Sequence, residues 1–184
     1  LETERSGVNI FIHGKPGTGK NQLIKAIGSA LGVDVFEVAT EDDQGNPITG
    51  ERRLQAYRAA QCFFIKNTPI ILFDEVEDVF SDGNSIAEKK STAQIHKGWI
   101  NRTLEENKVP TIWLSNDINC LDHAFIRRFD LIIELTIPPK SQRKRIMKKY
   151  CSDLLPEAQM EHIAGSEHLA PAIIERAAHV VGLI

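Results

Sequence analysis

The 184-residue sequence has few cysteines, no long apolar run and a small net charge, and each shortage excludes a class of protein. Cys62, Cys120 and Cys151 are odd in number and widely spaced, which argues against a disulfide framework and against a zinc site. No apolar run is long enough to span a bilayer, and no signal-peptide pattern is present. The formal net charge of −3 gives no overall attraction to nucleic acid or anionic lipid. We therefore expect a soluble, cytoplasmic protein without membrane contacts.

Short apolar segments alternate with amphipathic helical patterns up to Pro138-Pro139, and only helical patterns follow. Strands are predicted at 8–12, 33–39, 69–73, 111–115 and 131–135, with a polar loop at 40–50 and a linker at 81–93. Helices are predicted at 23–31, 51–66, 94–107, 122–127, 141–155, 156–164 and 170–181. This alternation predicts an α/β fold with a parallel sheet that helices cover on both faces. We expect an α/β core over 1–138 and a helical lid over 139–184. Because the chain starts at Leu1 and stops within a helical pattern, we expect it to be part of a longer protein.

A glycine-rich loop joins the first predicted strand to the first predicted helix. Its glycines allow the backbone to approach a ligand closely, and its N–H groups converge on an anion at the helix N-terminus. The lysine that ends the glycine pattern is placed to reach the β and γ phosphates of a nucleotide. A plain turn between strand and helix would explain the glycines but not this lysine. The candidate nucleotide-binding residues are Gly14, Pro16, Gly17, Thr18, Gly19, Lys20 and Asn21.

Two further polar groups follow predicted buried strands. Asp74 and Glu75 come directly after the third strand, and Asn116 follows the fourth. Because ligands of open α/β sheets bind beyond the carboxyl ends of the strands, these side chains are expected near the nucleotide. Asp74 suits Mg²⁺ held through its water shell, and Glu75 suits a general base for attack on the γ-phosphate. The alternatives are an acidic turn for the pair and a simple turn for Asn116.

Together these motifs resemble those of the AAA+ ATPases, members of the P-loop NTPases. Gly-Lys-Pro-Gly-Thr-Gly-Lys is similar to the family's Walker A motif, and Ile-Leu-Phe-Asp-Glu to its Walker B motif. Asn116 matches the first sensor. The segment 121–130, Leu-Asp-His-Ala-Phe-Ile-Arg-Arg-Phe-Asp, resembles the helix that ends in trans-acting arginines.

The resemblance implies a three-layer P-loop fold with strand order 5-1-4-3-2 and a helical lid. It also implies ATP and Mg²⁺ as cofactors, with Asp74 and Asn21 as the candidate metal ligands. A homo-oligomer is expected, commonly a hexameric ring, in which Arg127 or Arg128 acts as an arginine finger on the neighbour's nucleotide. The implied function is ATP hydrolysis coupled to remodelling of a protein partner.

Three features depart from the family pattern. Asn21 replaces the hydroxyl residue that ligates Mg²⁺, so a regulatory or assembly module that binds ATP but hydrolyses it poorly is the alternative function. The loop 40–50 is acidic and lacks an aromatic residue, so threading of a polypeptide has no support. No arginine occupies the expected second-sensor position, and Arg176, one turn later, is a weak candidate for that role. A P-loop kinase is disfavoured because it would need an acceptor pocket. A helicase loader would need a basic surface interleaved with aromatic residues. The basic run 140–149 does not supply one, because it is interpreted as a solvated face of a lid helix.

Overall fold

The computed structural model of the chain describes residues 7–66, 69–80, 96–121 and 123–183. The linker expected at 81–93 lies outside these ranges. The chain divides into two compact units. The first unit consists of 1–13 and 22–134, and the second of 14–21 and 135–184.

A five-stranded parallel sheet forms the centre of the first unit. Its strands are β1 (Asn9–His13), β2 (Val35–Glu37), β3 (Ile70–Phe73), β4 (Thr111–Ser115) and β5 (Leu131–Glu134). The strand order is β2-β3-β4-β1-β5, and every pairing is parallel. This is the predicted order read from the opposite edge, so the prediction of an α/β P-loop fold is confirmed.

Helices connect the strands because each parallel neighbour needs a crossover. They are α1 (Lys20–Leu31), α2 (Gly50–Phe63), extended by a 3₁₀ turn (Phe64–Lys66), α3 (Glu77–Phe80), α4 (Lys97–Glu105) and α5 (His123–Ile126), with a second 3₁₀ turn at Ile118–Cys120. Every residue of β3 and β4 is buried, which agrees with their continuous apolar sequences and with cover on both faces. The edge strand β2 is shorter than predicted and mostly exposed.

Aromatic side chains fill the core of the first unit. Trp113 is buried on β4, as its position in an apolar run predicts. Its ring stacks on Phe73 of β3 with the centroids 4.9 Å apart, and it meets Tyr57 of α2 edge-on at 4.9 Å. These ring contacts join β3, β4 and α2 in the core.

Three helices form the lid in the second unit: α6 (Lys140–Cys151), α7 (Glu157–Ala164) and α8 (Pro171–Val181). They pack around a small core that includes Met147, Met160 and Ile174. In the basic run, Lys144 forms an ion pair with Glu161, as expected for a solvated face. Arg143 corrects that interpretation, because it is buried and donates from Nε to the carbonyl oxygen of Ala164 at 2.9 Å. No helix within the described ranges is long and apolar enough to cross a membrane.

Candidate functional site

The glycine-rich loop, residues 14–21, belongs to the same unit as the lid. Gly17 has φ +78°, a backbone conformation that residues with a Cβ rarely adopt. A Cβ added to Gly14 would lie 2.1 Å from the carbonyl oxygen of Leu135, so only glycine fits there. The carbonyl oxygen of Gly17 accepts a hydrogen bond of 3.1 Å from the N–H of Ala172 in α8. The lid helix therefore contacts the loop directly.

Polar side chains of the loop donate hydrogen bonds to the loop's own carbonyl oxygens. The ammonium of Lys20 donates to the carbonyl oxygen of Gly14 at 2.6 Å and to that of Lys15 at 3.4 Å. Thr18 is buried, and its hydroxyl donates to Lys15 O at 3.0 Å. Asn21 has an exposed side chain in the first turn of α1. A cation therefore lies at the loop, next to the N-terminus of a 12-residue helix.

The predicted acidic pair follows β3 in the first unit. Asp74 is half-buried and Glu75 is exposed. Among the residues described, Glu75 is the one non-glycine with a positive φ, at +51°. Its N–H donates to Asp74 Oδ1 at 2.8 Å, and this bond links the two carboxylate residues. A left-handed conformation at a non-glycine residue costs on the order of 1–3 kcal/mol, so the surrounding structure must hold it.

Glu77, two residues after the acidic pair, contacts the end of β4. Its Oε1 accepts hydrogen bonds from the hydroxyl of Ser115, at 3.0 Å, and from the N–H of Asn116. Because β3 and β4 are paired and parallel, their carboxyl ends meet at one edge of the sheet. Asp74 and Glu75 therefore follow the end of β3, and Asn116 the end of β4, at the same edge of the sheet. Glu77 is missing from the sequence-based site, although its spacing after the acidic pair was a usable signal.

Arg53 of α2 is also missing from the sequence-based site. It is 2% exposed, and its guanidinium donates from Nη2 to the carbonyl oxygen of Asp74 and from Nη1 to that of Glu75 at 3.1 Å. Nη1 also pairs with Asp78 Oδ2 at 3.0 Å, and the guanidinium carbon lies 4.4 Å from the ring centroid of Phe73. Burial raises the pKa of Asp78 above its usual value, while Arg53 acts in the opposite direction.

The two candidate finger arginines differ in their contacts. Arg128 forms an ion pair with Glu105 of α4 at 3.0 Å, and its Nε donates to Asn101 Oδ1 at 3.4 Å. Arg127 is exposed in the turn after α5. Arg128 is thus engaged within its own chain, whereas Arg127 extends from the surface.

Two titratable side chains that follow β4 have shifted pKa values. Burial raises the pKa of the Cys120 thiol to about 11, and its Sγ lies 3.3 Å from the hydroxyl of Ser115. The thiol is therefore neutral at physiological pH and a weak nucleophile. The backbone N–H of Asn119 lowers the pKa of Asp117 below its usual value. Across the described ranges, no group of three or more His, Cys, Asp or Glu residues could hold a metal ion.

Comparison with known proteins identifies the family of this chain. A model of the ATPase family associated with various cellular activities (AAA) matches residues 10–137. The chain belongs to the AAA family. It is 30% identical over 175 residues to nuclear valosin-containing protein-like of Mus musculus, a match that covers 90% of this chain and 20% of that protein.

Two prokaryotic relatives show the same pattern of coverage. ATP-dependent zinc metalloprotease FtsH 3 of Sphaerobacter thermophilus is 28% identical over 171 residues, with 84% of this chain and 33% of that protein covered. A putative 26S proteasome regulatory subunit homolog of Methanothermobacter thermautotrophicus is 27% identical over 148 residues, with 77% and 39% covered. The chain thus spans between one fifth and two fifths of these three AAA relatives.

Proposed function

We propose that this chain binds ATP and hydrolyses it, and that turnover remodels a protein partner. The observation that most supports the proposal is the arrangement of Asp74, Glu75 and Asn116 at one edge of the sheet in an AAA family member. We infer a protein as the partner from the names of two relatives, one a proteasome regulatory subunit homolog and the other an ATP-dependent metalloprotease.

The glycine-rich loop fits an anionic phosphate chain. It leads into the N-terminus of α1, where the N–H groups of the first turn and the helix dipole favour negative charge. The glycine positions leave space where a Cβ would fill the loop or strain it, and Lys20 supplies a cation at the loop. Asp74 and the amide oxygen of Asn21 are oxygen ligands of the kind that Mg²⁺ accepts.

The three site residues of the first unit have distinct proposed roles. Bound ATP would supply the phosphoric anhydride, and Mg²⁺ would neutralise part of the phosphate charge. Glu75 would accept a proton from the attacking water, and Asn116 would orient that water through its amide. Asp74 would hold the metal through its water shell, since Mg²⁺ retains several waters in proteins.

A homo-oligomer is part of the proposal, with the arginine finger supplied to the neighbouring subunit. Arg127 suits this role better than Arg128, because Arg128 is already paired with Glu105 in its own chain. A finger that arrives from a neighbour stabilises transition-state charge only when subunits are assembled. A hexameric ring is the expected arrangement.

A second candidate is a regulatory or assembly module that binds ATP but hydrolyses it poorly. Asn21 favours this candidate, because its side chain stands where a hydroxyl would ligate Mg²⁺ directly. Binding is common to the two functions, so turnover is what separates them.

We expect Lys20→Ala to abolish ATP binding measured by calorimetry, because the substitution removes the cation at the loop. Lys25→Ala, an exposed substitution on the same helix, is the matched control and should bind like the parent. Unchanged ATP affinity in Lys20→Ala would refute nucleotide binding.

We expect Glu75→Gln to retain bound nucleotide but to lose all but a small residual turnover, because it preserves the shape of the side chain and removes the base. A parent that binds ATP but never hydrolyses it when assembled would favour the regulatory module.

A further inference from the structure

The buried guanidinium of Arg53 binds the backbone carbonyl groups before and after the Cα of Glu75. Its two terminal nitrogens donate to the carbonyl oxygens of consecutive residues, Asp74 and Glu75. The planar fork of arginine can grip two carbonyls at once, which the compact ammonium of lysine cannot do in the same way. Arg53 therefore contacts the peptide groups that the left-handed conformation at Glu75 reorients.

The guanidinium is itself fixed to rigid parts of the core. One nitrogen pairs with Asp78 in α3, and the flat face lies over the ring of Phe73 at the end of β3. That ring stacks on Trp113 of β4 at 4.9 Å with an interplanar angle of 23°. The position of Arg53 is thus set by Asp78 of α3 and by the stacked rings of two neighbouring strands.

Stability alone is a poor explanation for this arrangement. Burying an arginine carries a desolvation cost that well-packed apolar side chains of similar volume avoid. Arg53 Nε is buried and has no hydrogen-bond partner in the described part of the chain, which adds a further cost. What the buried guanidinium does supply is a fixed orientation of the backbone at Asp74 and Glu75.

We infer that Arg53 is a positioning residue for Glu75: it holds the backbone of the proposed general base in the conformation that directs its carboxylate. The inference rests on the proposed ATPase function for its kinetic consequence and on the observed contacts for its structural one. Small displacements of a catalytic group are costly, since about 1 Å of misplacement reduces rates by roughly 10²-fold.

The kinetic test is made on the assembled protein with Arg53→Lys, which keeps the charge but loses the fork. We expect kcat to fall by roughly 10- to 100-fold while KM for ATP stays within about threefold, because the guanidinium of Arg53 contacts the 74–78 segment and Phe73. Arg52→Lys, an exposed substitution one position earlier on α2, should leave both constants unchanged. A parent-like kcat in folded Arg53→Lys would overturn the inference.

A double-mutant cycle separates positioning from general destabilisation. If Arg53 acts through Glu75, Arg53→Lys should reduce the residual rate of Glu75→Gln by far less than it reduces the parent rate. Equal fold losses in the two backgrounds would mean that Arg53 acts independently of Glu75, which contradicts the inference. If Arg53→Lys does not fold, Asp78→Asn, which removes the anchor of the guanidinium, takes its place in the same cycle.

Amide hydrogen exchange tests the structural part without any turnover. The N–H of Val76 donates to Leu114 O at 3.1 Å, and we expect peptides that cover 74–78 to exchange faster in Arg53→Lys, with β4 peptides unchanged. Parent-like exchange at 74–78 would overturn the inference whatever the kinetics show. If 74–78 exchanges faster in Arg53→Lys but the parent does not hydrolyse ATP, the proposed ATPase function is refuted while the positioning role of Arg53 is supported.

Discussion

Asn21 is where the chain departs from the phosphate-loop motif by a single side chain. A serine or threonine hydroxyl at this position can ligate Mg²⁺ directly, whereas the asparagine arm is longer and ends in an amide oxygen. Mg²⁺ demands short distances and near-ideal octahedral geometry, so the longer arm leaves the metal mainly to phosphate oxygens, water and Asp74. The substitution therefore bears on metal dependence and turnover more than on nucleotide binding.

We expect Asn21→Thr to strengthen the Mg²⁺ dependence of ATP binding and to speed hydrolysis, because a hydroxyl ligand is restored. The measurement is a Mg²⁺ titration of ATPase rate and ATP affinity in parent and variant. Gln22→Thr, at the next exposed position of α1, is the matched control. Superimposable titrations for the parent and Asn21→Thr would mean that the amide replaces the hydroxyl adequately.

The sequence was enough to identify Asp74 and Glu75 as site residues, but not to identify Arg53, which contacts their backbone. An apolar strand that runs into Asp74 and Glu75 is a local pattern, and parallel topology decides where its end lies. Arg53 and Arg143 are buried, yet charged residues within helical patterns usually face solvent, so the pattern predicts exposure for both. Their burial depends on carbonyl oxygens from distant segments, which no spacing in the sequence indicates.

Elements with strong local signals were predicted well, and those fixed by tertiary contacts were not. β4 was predicted with its observed bounds, because an apolar run bounded by polar residues specifies a buried strand. β2 is shorter than predicted, since an edge strand pairs on one side only. The role of Asn9 on β1 was missed: it accepts from Trp113 Nε1 at 3.1 Å and donates to Leu104 O at 2.6 Å, so it joins elements more than 90 residues apart.

A buried hydrogen-bond network joins α2 to β4. The hydroxyl of Tyr57 lies 3.2 Å from Thr111 Oγ1 and accepts from Gln61 Nε2 at 3.0 Å. Gln61 also donates to the carbonyl oxygen of Val109 at 2.9 Å. Burial raises the pKa of Tyr57 to about 12, from 10.0 for an exposed tyrosine, because the phenolate would lose its hydration. Folding therefore keeps the phenol protonated at pH values where the unfolded chain releases the proton.

We expect the free energy of unfolding to fall as the pH rises above 10, and Tyr57→Phe to remove part of that fall. The unfolded chain binds fewer protons at Tyr57 than the folded chain between pH 10 and about 12, so stability is full below pH 10 and is lost above it. Between pH 8 and pH 11 this group accounts for about 1.4 kcal/mol. Urea unfolding at both pH values measures it, with Tyr150→Phe as control. An equal fall in parent and Tyr57→Phe would contradict the assignment.

At the scale of the whole molecule, the proposed machinery is divided between the two compact units. The glycine-rich loop belongs to the unit that contains the lid, while the acidic pair, Asn116 and both candidate finger arginines belong to the unit that contains the sheet. The chain spans a minority of the length of each of these AAA relatives, so its assembly, substrates and partners are proposals.

We expect specific ATPase activity to rise with protein concentration, because the arginine finger comes from the neighbouring subunit. Arg127→Ala should lose turnover by about 10³-fold or more without losing ATP binding. Arg128→Ala should lose less, since Arg128 is engaged with Glu105 in its own chain. The measurement is rate against concentration, with oligomeric state followed by light scattering. A rate independent of concentration in a demonstrated monomer would refute action in trans.

Mixing two inactive variants provides the decisive version of this prediction. Arg127→Ala retains Glu75 but offers no finger, and Glu75→Gln offers a finger but lacks the base. In a mixed ring with head-to-tail interfaces, roughly a quarter of the sites combine Glu75 with a neighbour's Arg127, so activity should return to roughly a quarter of the parent rate. Arg127→Ala mixed with the double variant Glu75→Gln/Arg127→Ala is the control and should remain inactive. If the arginine acted within its own subunit, neither mixture would recover activity.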